Sequence, residues 1–397
     1  MSPRSDKPRQ RRVALLIESS RAYAREVIRG IAHHNRKHQN WLLEFTPRGL
    51  EDPPPAWLKS WHGDGILARV NDRRMASALR RKGLPVVDLR RLIAVQGIPW
   101  VGPDDADACR LVWEHFRDRG FTRFAFVGEP AGVHRAMDAR ADHFGEVVGR
   151  SGASYFEIRL DVPAAGDRWD KQCRQLRRWL GKLPLPIAVM ACNDDMGLRV
   201  LDACRRASLR VPDEVAVAGV GNDECLCDLS LPQLTSVHLN PQRIGYEAAA
   251  LLDRMMDGEP LEQQEYLIAP QGIVSRMSTD VVATEDPLVA EAIGFIRSHA
   301  CDGIDVGAVC RHVCRSRGAL EPRFKQILGR TVHNEIQRVR LSRVRDLLAT
   351  TDMPIKQIAP ETGFRYAEYL MRVFRQTTGT TLKDYRVEYR LRSGKGG

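Results

Sequence analysis

The chain of 397 residues is most informative in what it lacks. No apolar run exceeds a handful of residues, well short of the roughly 20 that a membrane-spanning helix requires, so no membrane partner is expected. Nine cysteines occur without a CxxC pair. Cys225-x-Cys227 and Cys310-x3-Cys314 have no His or Cys set at zinc-ligand spacing beside them, which reads as reduced thiols in a cytoplasm and no metal site. There is no P-loop and no Gly-x-Ser-x-Gly; His33, His34, His115 and His134 are scattered, and the carboxylate pairs Asp104-Asp105 and Asp194-Asp195 suit helix starts. Neither catalysis nor a cofactor is therefore expected. The basic N-terminus leads into an apolar segment, Val13 to Ile17, that stops at Glu18 without a small-residue cleavage site. No export signal is read there, and a cytoplasmic location is expected.

Positive charge is present and unevenly placed. The net charge is +11, and Leu288 to Gly397 holds 20 Lys and Arg against 11 Asp and Glu, a net of +9. The other 287 residues carry only +2. A basic solvated domain would show the same count, but positive charge beside helical repeats is also the footprint of a phosphate-binding face.

From Arg12 to about Met277, short β-branched runs alternate with amphipathic stretches, the pattern of βαβ units in a parallel sheet. Strands are predicted at Val13–Ile17, Leu42–Phe45, Gly65–Ala68, Val86–Asp88, Phe124–Val127, Ile187–Ala191 and Val215–Val220. Helices are predicted between them, at Ala22–Lys37, Asp72–Arg81, Ala106–Arg119, His134–Arg150, Asp195–Ala207 and Pro241–Met256. Roughly 265 residues exceed what one open sheet needs, so the expected fold class is α/β with two lobes of parallel sheet flanking a cleft. The expected division is a basic arm at 1–12, the two-lobed domain at 13–275, a linker at 276–287 and an all-α domain at 288–397.

The last segment repeats itself at an offset of 50 residues: Phe324-Lys-Gln-Ile-Leu-Gly-Arg-Thr is echoed by Phe374-Arg-Gln-Thr-Thr-Gly-Thr-Thr, and Leu320 pairs with Leu370. Each copy keeps an apolar face at helical spacing and a polar face opposite, which is the requirement of a helix-turn-helix reader. In the first, Val306 to Val313 is the leading helix, Cys314 to Ser316 the turn, and Ser316, Arg317, Glu321 and Lys325 the candidate DNA contacts. In the second, Pro354 to Ala359 leads, Thr362-Gly363-Phe364 turns, and Arg365, Tyr366, Glu368, Arg372 and Arg375 are the candidates. Val332 to Thr350 is the expected joining helix. Pro322 and Pro360 each remove an N–H from a predicted helix, so a kink or a later helix start is expected at Pro322.

Gly363-Phe364, Tyr369, Arg372-Val-Phe-Arg375, Thr378-Gly379 and Asp384-Tyr-Arg386 resemble the AraC/XylS-type DNA-binding domain over about Leu288 to Arg390. The preceding core, through Ala191-Cys-Asn-Asp-Asp-Met-Gly and Val211-Pro-Asp-Glu-Val-Ala-Val, resembles the ligand-binding core of lactose-repressor-type regulators and periplasmic sugar-binding proteins. Sugar-sensing core first and AraC-type domain last is the order of the xylose operon regulator family, to which Ser20-Arg-Ala-Tyr23 and Ile244-Gly-Tyr-Glu-Ala-Ala add likeness. The resemblance implies a two-lobed periplasmic-binding-protein-like core and a DNA-binding transcriptional activator responding to D-xylose or a related sugar. The implied partners are a DNA operator, a homodimer mate and RNA polymerase. A core whose helix-turn-helix units have decayed, acting through protein contacts, is the alternative that Pro322 and Pro360 raise.

A neutral sugar needs bidentate polar groups at strand ends. Asp194 and Arg140 match family positions that bind sugar hydroxyls, and Ser20 and Arg21 match by resemblance alone. Asn193 and Asp194 also suit a helix N-cap, Arg140 a solvated helix position, and Asp88 a turn. The family's sugar-gripping Asp is replaced by Gly221, which leaves either Asn222 and Asp223 as substitutes after a shift or an altered or weakened sugar preference. Trp169 is a candidate either for stacking on a sugar face or for a partly buried helix start.

Overall fold

The computed structural model describes residues 10–38, 41–49, 52–93, 95–161, 168–261, 263–280 and 286–392. Residues 1–9 of the expected arm and 281–285 of the expected linker lie outside them. Contacts divide the chain into two compact units, one holding every strand and the other the final run of helices.

The first unit opens with β1 (Arg11–Leu16), β2 (Trp41–Phe45), β3 (Gly65–Ala68), β4 (Val86–Asp88) and β5 (Trp100–Pro103). It continues with β6 (Arg123–Gly128), β7 (Ser154–Arg159), β8 (Ile187–Ala191) and β9 (Val215–Val220). The last strands are β10 (Thr235–His238), β11 (Glu265–Ile268) and β12 (Gly272–Val274). Its helices are α1 (Ala22–His38), α2 (Arg73–Arg80), α3 (Asp105–Arg117), α4 (Arg135–Arg150), α5 (Arg168–Leu180), α6 (Asp194–Arg206), α7 (Glu224–Leu229) and α8 (Pro241–Met256).

These strands build two sheets, and each is the floor of one lobe. The first has the order β2-β1-β3-β4-β5-β11, all parallel; the second is β7-β6-β8-β9-β10-β12, with only β12 antiparallel. The central strands β8 and β9 are buried at every residue because helices cover both faces, and this is why they read as unbroken apolar runs. The edge strands β7 and β11 are half exposed, and their sequences, Ser-Tyr-Phe-Glu-Ile-Arg and Glu-Tyr-Leu-Ile, gave no such run. The chain crosses between lobes three times, from β5 to α3, from β10 to α8 and from β11 to β12. Connections of this kind, made of a few loop and element-terminal residues, are where a hinge between two lobes is built.

The second unit contains α9 (Pro287–His299), α10 (Val306–His312), α11 (Arg317–Leu328), α12 (Val332–Thr350), α13 (Ile355–Glu361), α14 (Ala367–Thr378) and α15 (Leu382–Arg392). The 50-residue echo is structural. Gly329 and Gly379 both adopt positive φ, +66° and +75°, and donate their N–H groups to the carbonyls of Lys325 and Arg375, ending α11 and α14 alike. The joining helix is α12, with the predicted bounds.

The helix start expected after Pro322 is not what forms. α11 begins at Arg317, capped by the Ser316 hydroxyl, and runs through Pro322 to Leu328. Pro322 deprives the Gly318 carbonyl of its helical donor, and both residues are exposed, so water can take that carbonyl. Pro360 in α13 repeats the arrangement, with exposed Lys356 four residues earlier.

Candidate functional site

The cleft between the two lobes is a cavity of about 630 Å³, lined from the carboxyl ends of both sheets. Residues that follow β8 and β9 form one wall. Asn193 caps α6 through its side-chain oxygen, 2.8 Å from the Met196 nitrogen, while still facing the cleft. Asp194 is buried; it accepts from the Ser236 hydroxyl at 2.5 Å and from the Asp223 N–H at 2.7 Å. Burial pushes its carboxyl up to about 6, against the pull of those two donors. Capping α6 and lining the cleft are thus compatible at Asn193.

Gly221 has φ +131°, and a Cβ there would stand 3.0 Å from Asp194 Oδ2. An aspartate at this position meets both a rarely accessible backbone conformation and a buried carboxylate. The substitutes differ from each other. Asn222 is itself left-handed, at φ +52°, and its side-chain oxygen accepts from Arg276 at 2.9 Å. The Asp223 carboxylate lines the cleft with no hydrogen bond among the described residues, which leaves it the available acceptor.

Arg140 is buried and lines the cleft, held by Asp105 at 2.7 Å and the Cys192 carbonyl at 2.6 Å, so it is not a solvated helix residue. Asp88 is not among the residues that line the cleft. Its carboxylate accepts from the N–H groups of Val70, Arg90 and Arg91 at 3.0, 2.9 and 3.0 Å, which fixes the turn after β4. Burial raises it to about 6 despite those donors. Arg90, not Asp88, reaches the cleft. Ser20 is exposed and off the lining, with its carbonyl accepting from Arg25 at 3.0 Å. Arg21 lines the cleft and bridges to Asp195 of the other lobe at 2.6 Å. Trp169 is not among the lining residues; its indole N–H donates to Asp202 at 2.9 Å and its ring packs under Arg199.

The sequence reading missed Glu18, Tyr23, Arg69, Trp100, His134 and Gln172. Glu18 and Arg69 lie within two residues of the ends of β1 and β3 and pair with each other, so the strand-end rule would have found them. Trp100 lies on the unrecognised β5, and His134 and Gln172 carried no local signal. Burial, reinforced by the charges of Arg90 and Arg140, pushes His134 down to about 4, so its ring is neutral at ordinary pH. Arg90 donates to its Nε2 at 3.2 Å, which puts the proton on Nδ1. That Nδ1, with Glu18 Oε2, Trp100 Nε1 and Gln172 Oε1, is buried without a hydrogen-bond partner among the described residues. Mixed donors and acceptors of this kind suit a ligand rich in hydroxyls, each of which can both give and accept.

In the helical unit the candidate DNA contacts separate. Arg317, Lys325, Arg365, Tyr366, Glu368, Arg372 and Arg375 are exposed on α11, on α14 or on the turn before α14. Arg365 packs over the Tyr366 ring and Arg372 over Tyr369, at 5.4 and 5.2 Å. Ser316 is also exposed, its hydroxyl serving as the α11 cap at 3.3 Å. Glu321 is turned inward: one carboxylate oxygen accepts from the Val332 N–H at 3.3 Å at the start of α12. Among the described residues no cluster of three His, Cys, Asp or Glu is set to hold a metal. No described helix is long and apolar enough to cross a membrane.

Comparisons with known proteins divide along the same lines. Residues 12–92 match the XylR N-terminal domain, 113–279 the periplasmic binding protein-like domain and 309–388 a helix-turn-helix domain. A solved structure of the xylose-binding transcription activator xylR superposes with a TM-score of 0.68 at 30% identity, covering 96% of this chain and 98% of that one. The arabinose operon regulatory protein of Escherichia coli K12 is 36% identical over 103 residues, 26% of this chain and 35% of its own. Fold and matches together define a sugar-responsive, DNA-binding transcription regulator with an AraC-type helix-turn-helix domain. The xylose operon regulatory protein of Escherichia coli K12 is 30% identical over 389 residues, 95% of this chain and 97% of its own. The chain belongs to that family.

Proposed function

We propose that this regulator senses D-xylose or a close relative in its interlobe cleft and, as a cytoplasmic homodimer, activates catabolic genes by presenting its paired readers to operator half-sites and to RNA polymerase. It performs no catalysis on this reading. Arg140, Asn193, Asp194, Asn222 and Asp223 hold the sugar, with Asp223 taking the place of the acidic group that Gly221 lacks, while Arg21 ties the two lobes beside it through Asp195. Ser20 and Asp88 act from behind the lining, Asp88 by aiming Arg90. Arg317, Lys325, Arg365, Tyr366, Glu368, Arg372 and Arg375 face DNA, Ser316 caps the first recognition helix, and Glu321 braces it. The division between sensor and reader falls within 276–287, of which Arg276 to Thr279 still pack on the sensor. The observation that carries the reading is the set of buried, unpartnered donors and acceptors gathered in one cleft of a chain that also bears two exposed basic helices. Sugar acts only by binding the closed arrangement more tightly than the open one.

The test is fluorescence anisotropy of the full-length protein on labelled DNA from upstream of its own gene, with and without D-xylose, across a salt series. The expected result is sugar-enhanced binding with a steep salt dependence from phosphate contacts. Binding indifferent to xylose but responsive to another sugar reassigns the effector; no DNA binding by the folded protein removes the reading.

A further inference from the structure

We infer that Arg340 is a clamp that fixes the spacing of the two helix-turn-helix readers, so that one buried side chain determines which operator geometry they can span. The inference rests on the DNA-binding reading above.

The helical unit has two separate hydrophobic cores. One gathers Val289, Ile296, Val309, Leu320 and Phe324 around Val332, Ile336 and Val339 of α12; the other gathers Ile358, Phe364, Leu370 and Phe374 around Leu341, Val344 and Leu348 of the same helix. Arg340 lies at the residue where α12 passes from one core to the other. A lone helix across such a seam transmits position but leaves each reader free to rock about it, since neither core reaches across.

Arg340 closes that freedom from both sides. Its side chain is buried, with Nε donating to the Ala300 carbonyl at 2.8 Å and Nη2 to the Ile304 carbonyl at 2.7 Å, both in the segment that enters the first reader. Its guanidinium lies 5.8 Å from the ring centre of Phe364, in the turn of the second. That turn comes up against the same Ala300 carbonyl: a Cβ on Gly363, which has φ +73°, would stand 2.6 Å from the Ala300 oxygen, 2.9 Å from Arg340 Nε and 3.0 Å from the Cys301 oxygen. Two carbonyls of one reader, the turn of the other and the guanidinium thus share one contact point. A planar guanidinium with several fixed donors can join two carbonyls and stack on a ring at once, which an ammonium cannot do. Gln337, donating to the Tyr369 hydroxyl at 3.1 Å, adds a second tie one turn earlier on α12.

The experiment measures the spacing directly. Spin labels carried on non-canonical residues at Gln326 and Gln376, exposed and equivalent positions in the two copies, report the distance between α11 and α14 in the full chain. A single narrow distance distribution is expected for the otherwise native protein and a broadened or shifted one for R340M. R340K keeps a cation and a donor and guards against a variant that merely unfolds; G363A pushes on the contact point without touching Arg340. Both should depart from the native distribution while circular dichroism retains the helical signal. A second arm inserts one base pair between the footprinted half-sites, displacing them by about 3.4 Å and rotating them by about 34°. Native protein is expected to lose at least ten-fold in affinity on that insertion, and R340K less than three-fold. If R340K and R340M both keep the narrow native distribution, the clamp is refuted whatever the DNA shows. If the distribution broadens as expected but no protein binds DNA, the clamp stands and the DNA reading falls.

Discussion

Arg21 and Asp195 join the two lobes across the cleft at 2.6 Å, tying the residue after the first strand's loop to the opening turn of α6. Both side chains are substantially exposed, 53% and 39%, so the bridge is a weak tie between the lobes. Exposed pairs contribute about 0.2–1 kcal/mol. Arg21→Ala is therefore expected to lower sugar affinity by up to about five-fold, read by titration calorimetry. A loss beyond about fifty-fold would put Arg21 on the sugar itself, and an unchanged affinity would show that closure does not use the bridge.

Gly221→Asp is not a restoration. The added Cβ meets Asp194 at 3.0 Å in a backbone conformation of φ +131°, and the new carboxylate faces a buried one. Such backbone strain costs about 1–3 kcal/mol. The variant is expected to melt at lower temperature and to bind sugar more weakly than the native protein. Tighter sugar binding in a calorimetric comparison would mean that the loop after β9 moves to accept the side chain.

Asp194 also makes stability depend on pH. Its folded-state value, about 6, lies above the ordinary carboxylate range because burial penalises the charge. The native state then binds the proton more tightly than the unfolded chain, so this contribution is fully present below about pH 4 and is lost as pH rises through about 6. Asp88 behaves alike, its value also about 6. Urea unfolding of native protein and Asp194→Asn across pH 4 to 7 should show the native advantage shrinking as pH rises. An advantage that grows over that range has the wrong sign and refutes the assignment.

Legibility followed burial on both sides. Strands covered by helices on two faces, such as Ile187–Ala191 and Val215–Val220, announce themselves as apolar runs and were bounded correctly; the half-exposed edges Ser154–Arg159 and Glu265–Ile268 do not. The helical repeat was legible because seating two readers demands the same Leu, Phe and Gly at the same offsets. In the cleft, Asp194 and Arg140 stood out by resemblance, but Trp100, His134 and Gln172 are brought together only by tertiary structure, and nothing near them in sequence marks them. Asp88 misled because a strand-end carboxylate that binds sugar and one that binds three backbone N–H groups look identical in sequence.

The readers' faces predict a contrast between two residues. Arg372 is exposed on α14, so Arg372→Ala should weaken DNA binding and, if it meets a phosphate, lower the salt slope by about one. Glu321 instead holds the Val332 N–H, so Glu321→Ala should lower the melting temperature with little change in the salt slope. Anisotropy over a salt series and thermal unfolding separate the two; a salt slope altered by Glu321→Ala and not by Arg372→Ala would reverse the assignment of faces.

Pro322 gives the last test, because the helix runs through it. Its cost is a missing N–H opposite the exposed Gly318 carbonyl and a ring crowding that same carbonyl. Pro322→Ala restores both the donor and the room, and the difference between Pro and Ala in a helix interior is about 3 kcal/mol. Part of that is returned because alanine frees the unfolded chain, by about 0.4–1 kcal/mol. A net stabilisation of about 2 kcal/mol is expected in denaturant unfolding of the full chain, with DNA affinity equal to or above that of the native protein. The position is exposed, so packing does not compete with this backbone effect. An unchanged midpoint would mean that water and local bending already absorb the cost of Pro322; a lower one would mean that the bend itself seats α11.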